Sequence, residues 1–302
     1  MKRKILITGS NGYIAKNIAI KLKKKNFRIY GIGRGKWTKK DYKKWGYFDQ
    51  INGRLTKKNL SKYNFKFDFI IHCAGSGIVG LRKKKDFNNN VKSTISLLNF
   101  IRKTQNKPKI IFMSSYSIYG NNFKDSISEK FVTKPVSIYA INKKKAENLL
   151  LNFSKKYAAD LMILRIASLY GEGLKKQLIY DACLKISKGL NNFFGTGREK
   201  RDFIHISDLV NIVLYFCKKG FSNSNVVNCG SGRGRQIKDV LKLISNDFKM
   251  KNKIIFNKKK LNTNPINLIS NIKQLKRIGV KPNKNFKIGV KQYVKWFKKN
   301  IL

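Results

Sequence analysis

The feature that most constrains the fold lies near the N-terminus, where an apolar stretch runs into closely spaced glycines. The segment "KILITGSNGYIAKNIAIKL" opens with a strand pattern at 4–8. Apolar residues then recur at i, i+4 and i+8 from Ile14, which predicts a helix with one buried stripe. Gly9 and Gly12 stand between the two patterns, where a chain that turns sharply needs small residues. A strand, a glycine turn and a helix in this order can hold a pyrophosphate, because the helix N-terminus presents free N–H groups to an anion.

Strand and helix patterns alternate over the first 170 residues and predict an α/β protein. Further strands are predicted at 27–32, 67–75, 109–115 and 161–171, and a helix is predicted at 137–158. Such alternation is typical of a Rossmann-type, doubly wound parallel sheet. We therefore expect a dinucleotide-binding domain at 1–170. The mixed short elements of 171–302 predict a smaller C-terminal substrate-binding cap, interleaved with the end of the sheet.

The net charge of +52, from 67 basic and 15 acidic residues, raises the question of nucleic-acid binding. The lysines are spread along the whole chain rather than gathered in one arm. Lys, Asn, Ile and Phe, which share AT-rich codons, are abundant together. No zinc-finger or RRM signature accompanies them. We expect no nucleic-acid partner, but a surface that attracts anions such as phosphorylated substrates.

Cysteine and histidine usage indicates the compartment and argues against a metal site. The four cysteines are far apart, without a C-x-x-C pair, and only two histidines occur. We expect no metal, reduced thiols and a cytoplasmic protein. No run of 18 apolar residues occurs, which predicts no membrane span. The apolar run at the N-terminus is too short for a signal peptide.

Several motifs together resemble one family. The spacing T-G-x-x-G-x-x-A in "TGSNGYIA" resembles the extended short-chain dehydrogenase/reductase family, and specifically its NAD-dependent epimerase/dehydratase members. These are nucleotide-sugar-modifying enzymes similar to UDP-glucose 4-epimerase. Further matches stand in the family's order along nearly the whole chain: "HCAG" (72–75), "NNNVKST" (88–94), "SSYSIYG" (114–120), "YAINK" (139–143), "RIASLYGEG" (165–173) and "GTGREKRDFIHISDLV" (195–210).

The resemblance implies a nicotinamide dinucleotide as cofactor. NAD-binding relatives end the second strand with an acid that binds the ribose 2′-OH. Gly33 stands at that place here, followed by Arg34, which suits a 2′-phosphate; Arg54 stands where relatives have Asp. NADP is therefore slightly favoured over NAD, and the choice stays open. The implied cofactor-binding residues are Gly9, Asn11, Gly12, Tyr13, Ile14, Arg34, Ala74, Gly75, Asn90, Tyr139 and Lys143.

Two Tyr-x-x-x-Lys pairs occur, Tyr139/Lys143 and Tyr215/Lys219, and in so lysine-rich a chain the spacing alone proves nothing. Position decides between them. Tyr139 opens a helix after the strand that carries Ser115, and residues at i and i+4 share a helix face. The resemblance implies Ser115, Tyr139 and Lys143 as catalytic residues. A nearby ammonium favours the phenolate of a tyrosine, whose pKa is otherwise near 10.

On the substrate side, the resemblance implies that Ser115, Ser168 and Arg201 bind a nucleotide-diphosphate sugar, and from its position we add Gln177 as a further candidate for contact with that ligand. Arg201 would contact the diphosphate, for which a guanidinium is well suited. Ser168 replaces the Asn found in many relatives. Asp208 is predicted to be a helix cap or a first-turn residue.

The residues after Ser115 bear on the reaction. Family dehydratases usually carry Asp and Glu there, whereas this chain has Tyr116 and Ser117, so 4,6-dehydration is not expected. Epimerisation through a keto intermediate is favoured, and NADPH-dependent reduction of a keto sugar is the alternative. A non-catalytic NADP-binding module is less consistent with the intact Ser115, Tyr139 and Lys143. The resemblance further implies a homodimer through the helices near Asn90 and Tyr139.

Overall fold

The computed structural model describes residues 2–75, 86–104, 107–121, 123, 125–259 and 266–302. The chain forms two compact units, each assembled from separate stretches. The first unit contains residues 1–118, 135–165 and 210–227, and the second contains 119–134, 166–209 and 228–302.

The described strands are short and mostly buried. Their bounds are β1 Lys4–Thr8, β2 Arg28–Gly33, β3 Asp49–Asn52, β4 Phe69–His72, β5 Lys109–Ser115, β6 Leu161–Ile166, β7 Ser168–Tyr170, β8 Asn192–Phe193, β9 Lys200–His205, β10 Ser224–Cys229, β11 Gly234–Gln236, β12 Ile255–Phe256 and β13 Asn267–Leu268.

The described helices are α1 Tyr13–Lys23, α2 Lys39–Lys44, α3 Lys57–Leu60, α4 Ser93–Lys103, α5 Ile138–Tyr157, α6 Gln177–Ser187, α7 Ile206–Lys219, α8 Ile237–Asp247, α9 Lys273–Arg277 and α10 Phe286–Asn300. A π-helical turn at Asn88–Lys92 leads into α4, and a 3₁₀ turn at Tyr116–Tyr119 follows β5. Within the described part of the chain, no helix is long and apolar enough to cross a membrane.

A seven-stranded sheet in the order β10-β6-β5-β4-β1-β2-β3 organises the first unit. The pairings from β5 through β4, β1 and β2 to β3 are parallel. The predicted α/β, Rossmann-type parallel sheet is confirmed. The order of the strands changes direction between β1 and β4, and ligands bind at the carboxyl ends of strands beside such a switch point.

The register of the sheet brings three loops together at this switch point. Thr8, the last residue of β1, pairs with Ile32 of β2 on one side and with His72 of β4 on the other. The loops that follow these three strands therefore begin next to one another. They contain the glycine turn after β1, the Gly33–Gly35 segment and the Cys73–Gly75 segment.

Apolar burial holds this sheet and its helices together. Ile5, Leu6 and Ile7 of β1 are completely buried, and each such side chain contributes about 1.5–3 kcal/mol relative to exposure. Helix α1 buries one stripe of Ala15, Ile18, Ala19 and Leu22. The predicted helix after the glycine turn is confirmed.

The predicted single strand at 161–171 is wrong, because the chain forms two strands there. β6 belongs to the seven-stranded sheet, whereas β7 pairs in parallel with β9 in the second unit. Ala167 lies between them, and its N–H donates to the Cys229 carbonyl at 2.9 Å. Both strands are buried, so the apolar run continues across the break and periodicity does not reveal it.

The second unit is organised around β9, which also pairs with β11 and β13. Asp202 of β9 is buried and accepts hydrogen bonds from the Ser231 N–H, the Ser231 hydroxyl and the Gly232 N–H at 2.6–3.0 Å. Burial raises the pKa of Asp202. Asp208 lies in the first turn of α7, as predicted, but its carboxylate accepts the backbone N–H groups of residues 283 and 284.

Candidate active site

The glycine turn after β1 has the geometry that an anion site requires. Gly9 has φ +67°, and a Cβ there would lie 2.8 Å from the Ala74 backbone. Only glycine allows the loops after β1 and β4 to approach this closely. The Gly12 N–H donates to the Gly9 carbonyl at 2.8 Å. Gly12 caps α1 without a side-chain hydrogen bond, and the first N–H groups of a helix lie at the end that attracts anions.

A cavity of about 850 Å³ opens at this end of the sheet, a volume within the range of small-molecule sites. The described residues that line it include no acid, whereas Arg34, Arg54 and Lys92 contribute positive charge. A concave site with one sign of charge attracts the opposite charge. The residues that line it include Gly9, Asn11, Gly12, Gly33, Arg34, Gly35, Arg54, Cys73, Ala74, Gly75 and Lys92.

The structure brings Ser115, Tyr139 and Lys143 together in the first unit. Ser115 ends β5, and Tyr139 lies in the first turn of α5, where Ser137 caps the helix by accepting the Ala140 N–H. The Tyr139 and Ser115 side chains are hydrogen-bonded. Lys143 is buried one turn later, and its ammonium donates to the Met113 carbonyl at 2.8 Å.

The ionisation of Tyr139 is set mainly by burial, which raises its pKa to about 12. The hydrogen bond with Ser115 acts in the opposite direction, and the negative charge of Asp86 adds to the rise. The net direction is opposite to the one expected from a neighbouring ammonium, because removing a phenolate from water is unfavourable. In this form of the protein, Tyr139 carries its proton at neutral pH.

Gly75, Asn90 and Lys143 converge beside this cluster. A Cβ at position 75 would lie 2.6 Å from Asn90 Oδ1 and 3.1 Å from Lys143 Nζ. Asn90 belongs to the π-helical turn before α4 and is buried. Single π turns are frequent at functional sites, and this one places the predicted cofactor residues Gly75 and Asn90 next to the lysine.

Two buried polar residues that the sequence did not indicate complete this region. Asp86 accepts Asn90 Nδ2 at 3.1 Å on one carboxylate oxygen and Asn142 Nδ2 at 2.8 Å on the other. All three side chains are at most 4% exposed. Asp86 therefore connects the Asn90 turn to the helix that carries Tyr139. The available signal was the rarity of acids in this chain.

His72 forms a directed hydrogen-bond chain beneath the same loops. The Thr8 hydroxyl accepts the Ala74 N–H at 3.1 Å and donates to His72 Nδ1 at 2.7 Å. His72 Nε2 then carries the hydrogen and donates to the Thr94 hydroxyl at 3.0 Å, which donates to the Asn90 carbonyl at 2.7 Å. Burial, and then a neighbouring ammonium, lowers the pKa of His72 to about 3. The neutral ring thus fixes the loops after β1 and β4 to the Asn90 turn.

A buried ion pair contacts Ser114, the residue immediately before Ser115. Glu147, one turn after Lys143, accepts Arg165 Nη2 at 2.9 Å and Nε at 3.2 Å, and also the Ser114 hydroxyl at 2.5 Å. The three residues are at most 4% exposed. They join β5, α5 and β6 at the point where Ser115 leaves the sheet.

The other predicted substrate residues, Ser168, Gln177 and Arg201, lie in the second unit. Ser168 begins β7 and is half-buried, and Gln177 begins α6 with φ +73°. Arg201 is half-buried on β9, where Nη1 donates to the Lys200 carbonyl at 3.0 Å. Burial lowers the pKa of Arg201 to about 10, so its guanidinium stays charged at neutral pH.

Tyr215 lies within α7 with its ring edge against Phe216, at 5.7 Å between centroids, and is separate from the serine cluster in sequence and helix. The described cysteines form no disulfide. Among the described residues, no group of three or more His, Cys, Asp or Glu could hold a metal ion.

Comparisons with known proteins agree with this architecture. The model of the NAD dependent epimerase/dehydratase family matches residues 5–230. UDP-glucuronate 4-epimerase 4 of Arabidopsis thaliana is 25% identical over 326 residues, which cover 97% of this chain and 75% of the relative.

Solved structures share the fold over the whole chain. A UDP-N-acetylglucosamine 4-epimerase from Methanobrevibacter ruminantium M1, in complex with UDP-N-acetylmuramic acid, has a TM-score of 0.88 at 22% identity, and the match covers 100% of both chains. A UDP-glucose 4-epimerase from Thermotoga maritima, with UDP-glucose, has a TM-score of 0.88 at 21% identity and covers 99% and 100%.

Proposed function

The chain belongs to the NAD-dependent epimerase/dehydratase family, and we propose that it is a nucleotide-sugar epimerase that uses NAD or NADP. The observation that carries this proposal is the cluster of Ser115, Tyr139 and Lys143 beside a glycine-rich cavity whose described lining residues include no acid. The residues fit a dinucleotide, because the Gly9 turn leaves no room for a side chain and the N-terminus of α1 has no side-chain cap. A pyrophosphate is the anion that such a turn accommodates.

We assign the proton chemistry to Tyr139. When bound, the nicotinamide supplies a hydride acceptor that can return the hydride. Tyr139 takes the proton of the sugar hydroxyl at its phenolate oxygen and later gives it back. Because burial raises the pKa of this tyrosine to about 12, the phenolate needs positive charge nearby. The Lys143 ammonium is suited to provide it, and Ser115 is suited to hydrogen-bond the reacting oxygen.

We favour NADP over NAD for this site. Gly33 stands at the position where an acid would bind a ribose 2′-OH, and the exposed Arg34 and Arg54 line the same cavity. Two guanidinium groups suit a 2′-phosphate. A carboxylate among the described lining residues would oppose it, and they contain none.

For the substrate we propose a nucleotide-diphosphate sugar. The relatives and structures described above include epimerases of UDP-sugars. Arg201 is our candidate for the diphosphate, with Ser168 and Gln177 on the sugar or nucleotide. The guanidinium of Arg201 is partly desolvated, which strengthens its interaction with an anion.

Reduction of a keto sugar by NADPH is the second candidate. The Gly33/Arg34 pair and the protonated Tyr139 favour it, since a reductase needs a proton donor at this position. Dehydration is not supported, because the two residues after Ser115 are Tyr116, which is buried, and Ser117, whose hydroxyl lies 2.9 Å from that of Ser115. Neither is an acid that could help remove water.

We also propose a cytoplasmic homodimer. Helices α4 and α5 of the first unit expose Ile95, Ile138 and Ile141, each 38–40% exposed, and a second copy of the chain would cover them. The free cysteines of the described chain suit a reducing compartment. Size-exclusion chromatography with light scattering tests the dimer. We expect Ile95→Glu to convert it to a monomer, and a wild-type monomer would refute this part.

The catalytic assignment is tested by Tyr139→Phe, with Tyr215→Phe as the matched control from the second Tyr-x-x-x-Lys pair. The assay measures conversion of UDP-glucose, UDP-glucuronate and UDP-N-acetylglucosamine by chromatography. We expect Tyr139→Phe to lower kcat at least about 100-fold, while the Kd for the cofactor changes little. Tyr215→Phe should retain activity. Unchanged turnover in Tyr139→Phe would refute the assignment.

The redox state of the cofactor after purification separates the two reactions. Tightly retained oxidised cofactor supports an epimerase, which regenerates it in each turnover. A cofactor-free protein that consumes NADPH in the presence of a nucleotide keto sugar supports a reductase and would overturn the epimerase.

A further inference from the structure

The side chain of Asn11 covers two glycines, Gly33 and Gly35, on either side of Arg34. Its Oδ1 accepts the Gly35 N–H at 3.0 Å. A Cβ added to Gly33 would lie 2.1 Å from Asn11 Oδ1, and one added to Gly35 would lie 2.3 Å from Asn11 Nδ2. Non-bonded carbon contacts require more than 3 Å. While Asn11 keeps this orientation, neither position can carry a side chain.

One hydrogen bond, from the Gly35 N–H to Oδ1, holds Asn11 in this orientation. Its carboxamide is attached through a single methylene, and Nδ2 is buried. The Ser10 hydroxyl, also buried, would lie 2.6 Å from the same added Cβ at position 33. Moving Asn11 aside would break its hydrogen bond with the Gly35 N–H. A side chain at position 33 would therefore clash with both Asn11 and Ser10.

Position 33 is where the acid of an NAD-type sheet would stand. Gly33 is the last residue of β2, one residue after Ile32, which pairs with Thr8 at the end of β1. An acid at the end of this strand binds the ribose 2′-OH in NAD-specific sites. Gly33, Arg34 and Gly35 all line the cavity, as does Asn11.

We propose that Asn11 determines the cofactor specificity of this site, because it occupies the space that an acidic side chain at position 33 would need and holds the loop that presents Arg34. This inference rests on the proposed dinucleotide site. Its consequence is that residues 11 and 33 are coupled. An acid at position 33 by itself displaces Asn11 and disturbs the Arg34 loop, whereas an acid at 33 together with a small residue at 11 fits.

A double-mutant cycle in the absence of any cofactor tests the steric part. Thermal unfolding is measured for wild type, Asn11→Ala, Gly33→Ala and the double variant. We expect Gly33→Ala to lower Tm clearly in the wild-type background and by less than half as much in the Asn11→Ala background. If Gly33→Ala alone is insoluble, its rescue by Asn11→Ala is the same result. Equal losses in both backgrounds, or no rescue, would overturn the proposal.

Calorimetric titration with two adenosine fragments tests the specificity part. The probes are 2′,5′-ADP, which carries the 2′-phosphate, and 5′-AMP, which does not. We expect wild type to bind 2′,5′-ADP at least tenfold more tightly. Gly33→Asp should weaken 2′,5′-ADP without tightening 5′-AMP. Asn11→Ala/Gly33→Asp should bind 5′-AMP more tightly than either single variant does.

The outcomes separate this inference from the proposed function. If wild type binds neither fragment, the proposed cofactor site itself is wrong. Equal binding of both fragments by wild type refutes a specificity role for Asn11. Reversal of the preference by Gly33→Asp alone also refutes it, because Asn11 would then offer no obstacle. Arg34→Ala is the control, and we expect it to reduce the preference for 2′,5′-ADP without lowering Tm.

Discussion

Replacing Glu147 by leucine is expected to destabilise the first unit by about 3–5 kcal/mol, the usual cost of removing one partner of a buried ion pair. The Glu147 carboxylate is fully buried and is bonded by Arg165 Nη2 at 2.9 Å and by the Ser114 hydroxyl at 2.5 Å. Leucine would leave the Arg165 guanidinium, which is 4% exposed, without the carboxylate that neutralises it. The cost is the desolvation of that cation rather than the lost hydrogen bonds alone.

The double variant Glu147→Leu/Arg165→Met distinguishes this reasoning from a simple packing defect. It removes both charges and keeps the apolar volume, and replacing a buried pair in this way is often neutral or stabilising. We expect the free energy of unfolding of this double variant to lie within about 1 kcal/mol of the wild-type value. Lys109→Met is the control, because the Lys109–Asp160 pair is about one-third exposed and such pairs contribute at most about 1 kcal/mol.

The measurement is urea unfolding, monitored by tryptophan fluorescence. Trp37 and Trp45 lie in the first unit and Trp296 in the second, so Trp296→Phe in every variant restricts the signal to the unit that contains the ion pair. A loss from Glu147→Leu no larger than that from Lys109→Met would refute the reasoning. The reasoning would also be refuted if the double variant lost as much unfolding free energy as Glu147→Leu and Arg165→Met lose in sum.

Three further predictions concern the loops around the site. His72→Gln should make the free energy of unfolding less dependent on pH below neutrality. Burial lowers the pKa of His72 to about 3, so the stabilisation from the neutral ring is present above about pH 6.5 and is lost by about 1.4 kcal/mol per pH unit as pH falls toward 3. Urea midpoints of wild type and variant at pH 7.5 and 5.5 check this, and equal pH dependence in the two proteins would contradict it. Gly9→Ala should abolish cofactor binding in calorimetry, because its Cβ would lie 2.8 Å from the Ala74 backbone at φ +67°; retained affinity would exclude the close approach. Asp86→Asn should shift the rise of the epimerisation rate with pH, which reports formation of the Tyr139 phenolate, to lower pH, because the Asp86 charge helps to raise the pKa of Tyr139. An unshifted rise would show that the two groups are not coupled.

Local patterns were sufficient for much of the fold. The strand at 4–8 coincides with β1, and the strand at 109–115 coincides with β5. The helix predicted at 137–158 is α5, Ile138–Tyr157. These elements have clear apolar periodicity and recognisable ends, such as the Ser137 cap, so neighbouring residues alone determine them.

The break between β6 and β7 shows where local patterns fail. Both strands are apolar, and only their partners differ, since β7 pairs with β9. Local patterns did not indicate the roles of Asp86, Asn142 and His72 for a related reason. Their hydrogen bonds join residues 4 to 64 positions apart, and the sequence does not show which of these residues come into contact.

The sequence by itself determined the alternation of strands and helices in the first unit and the glycine turn, because these depend on residue type and short spacing. Its resemblance to a known family supplied the candidates Ser115, Tyr139 and Lys143. Only the tertiary structure decided how the candidates are used. It set the protonation of Tyr139 through burial and Asp86, fixed the His72 tautomer between two threonines, and placed Asn11 over Gly33. The physical reason is that desolvation and steric exclusion depend on which distant residues the fold brings within a few ångströms.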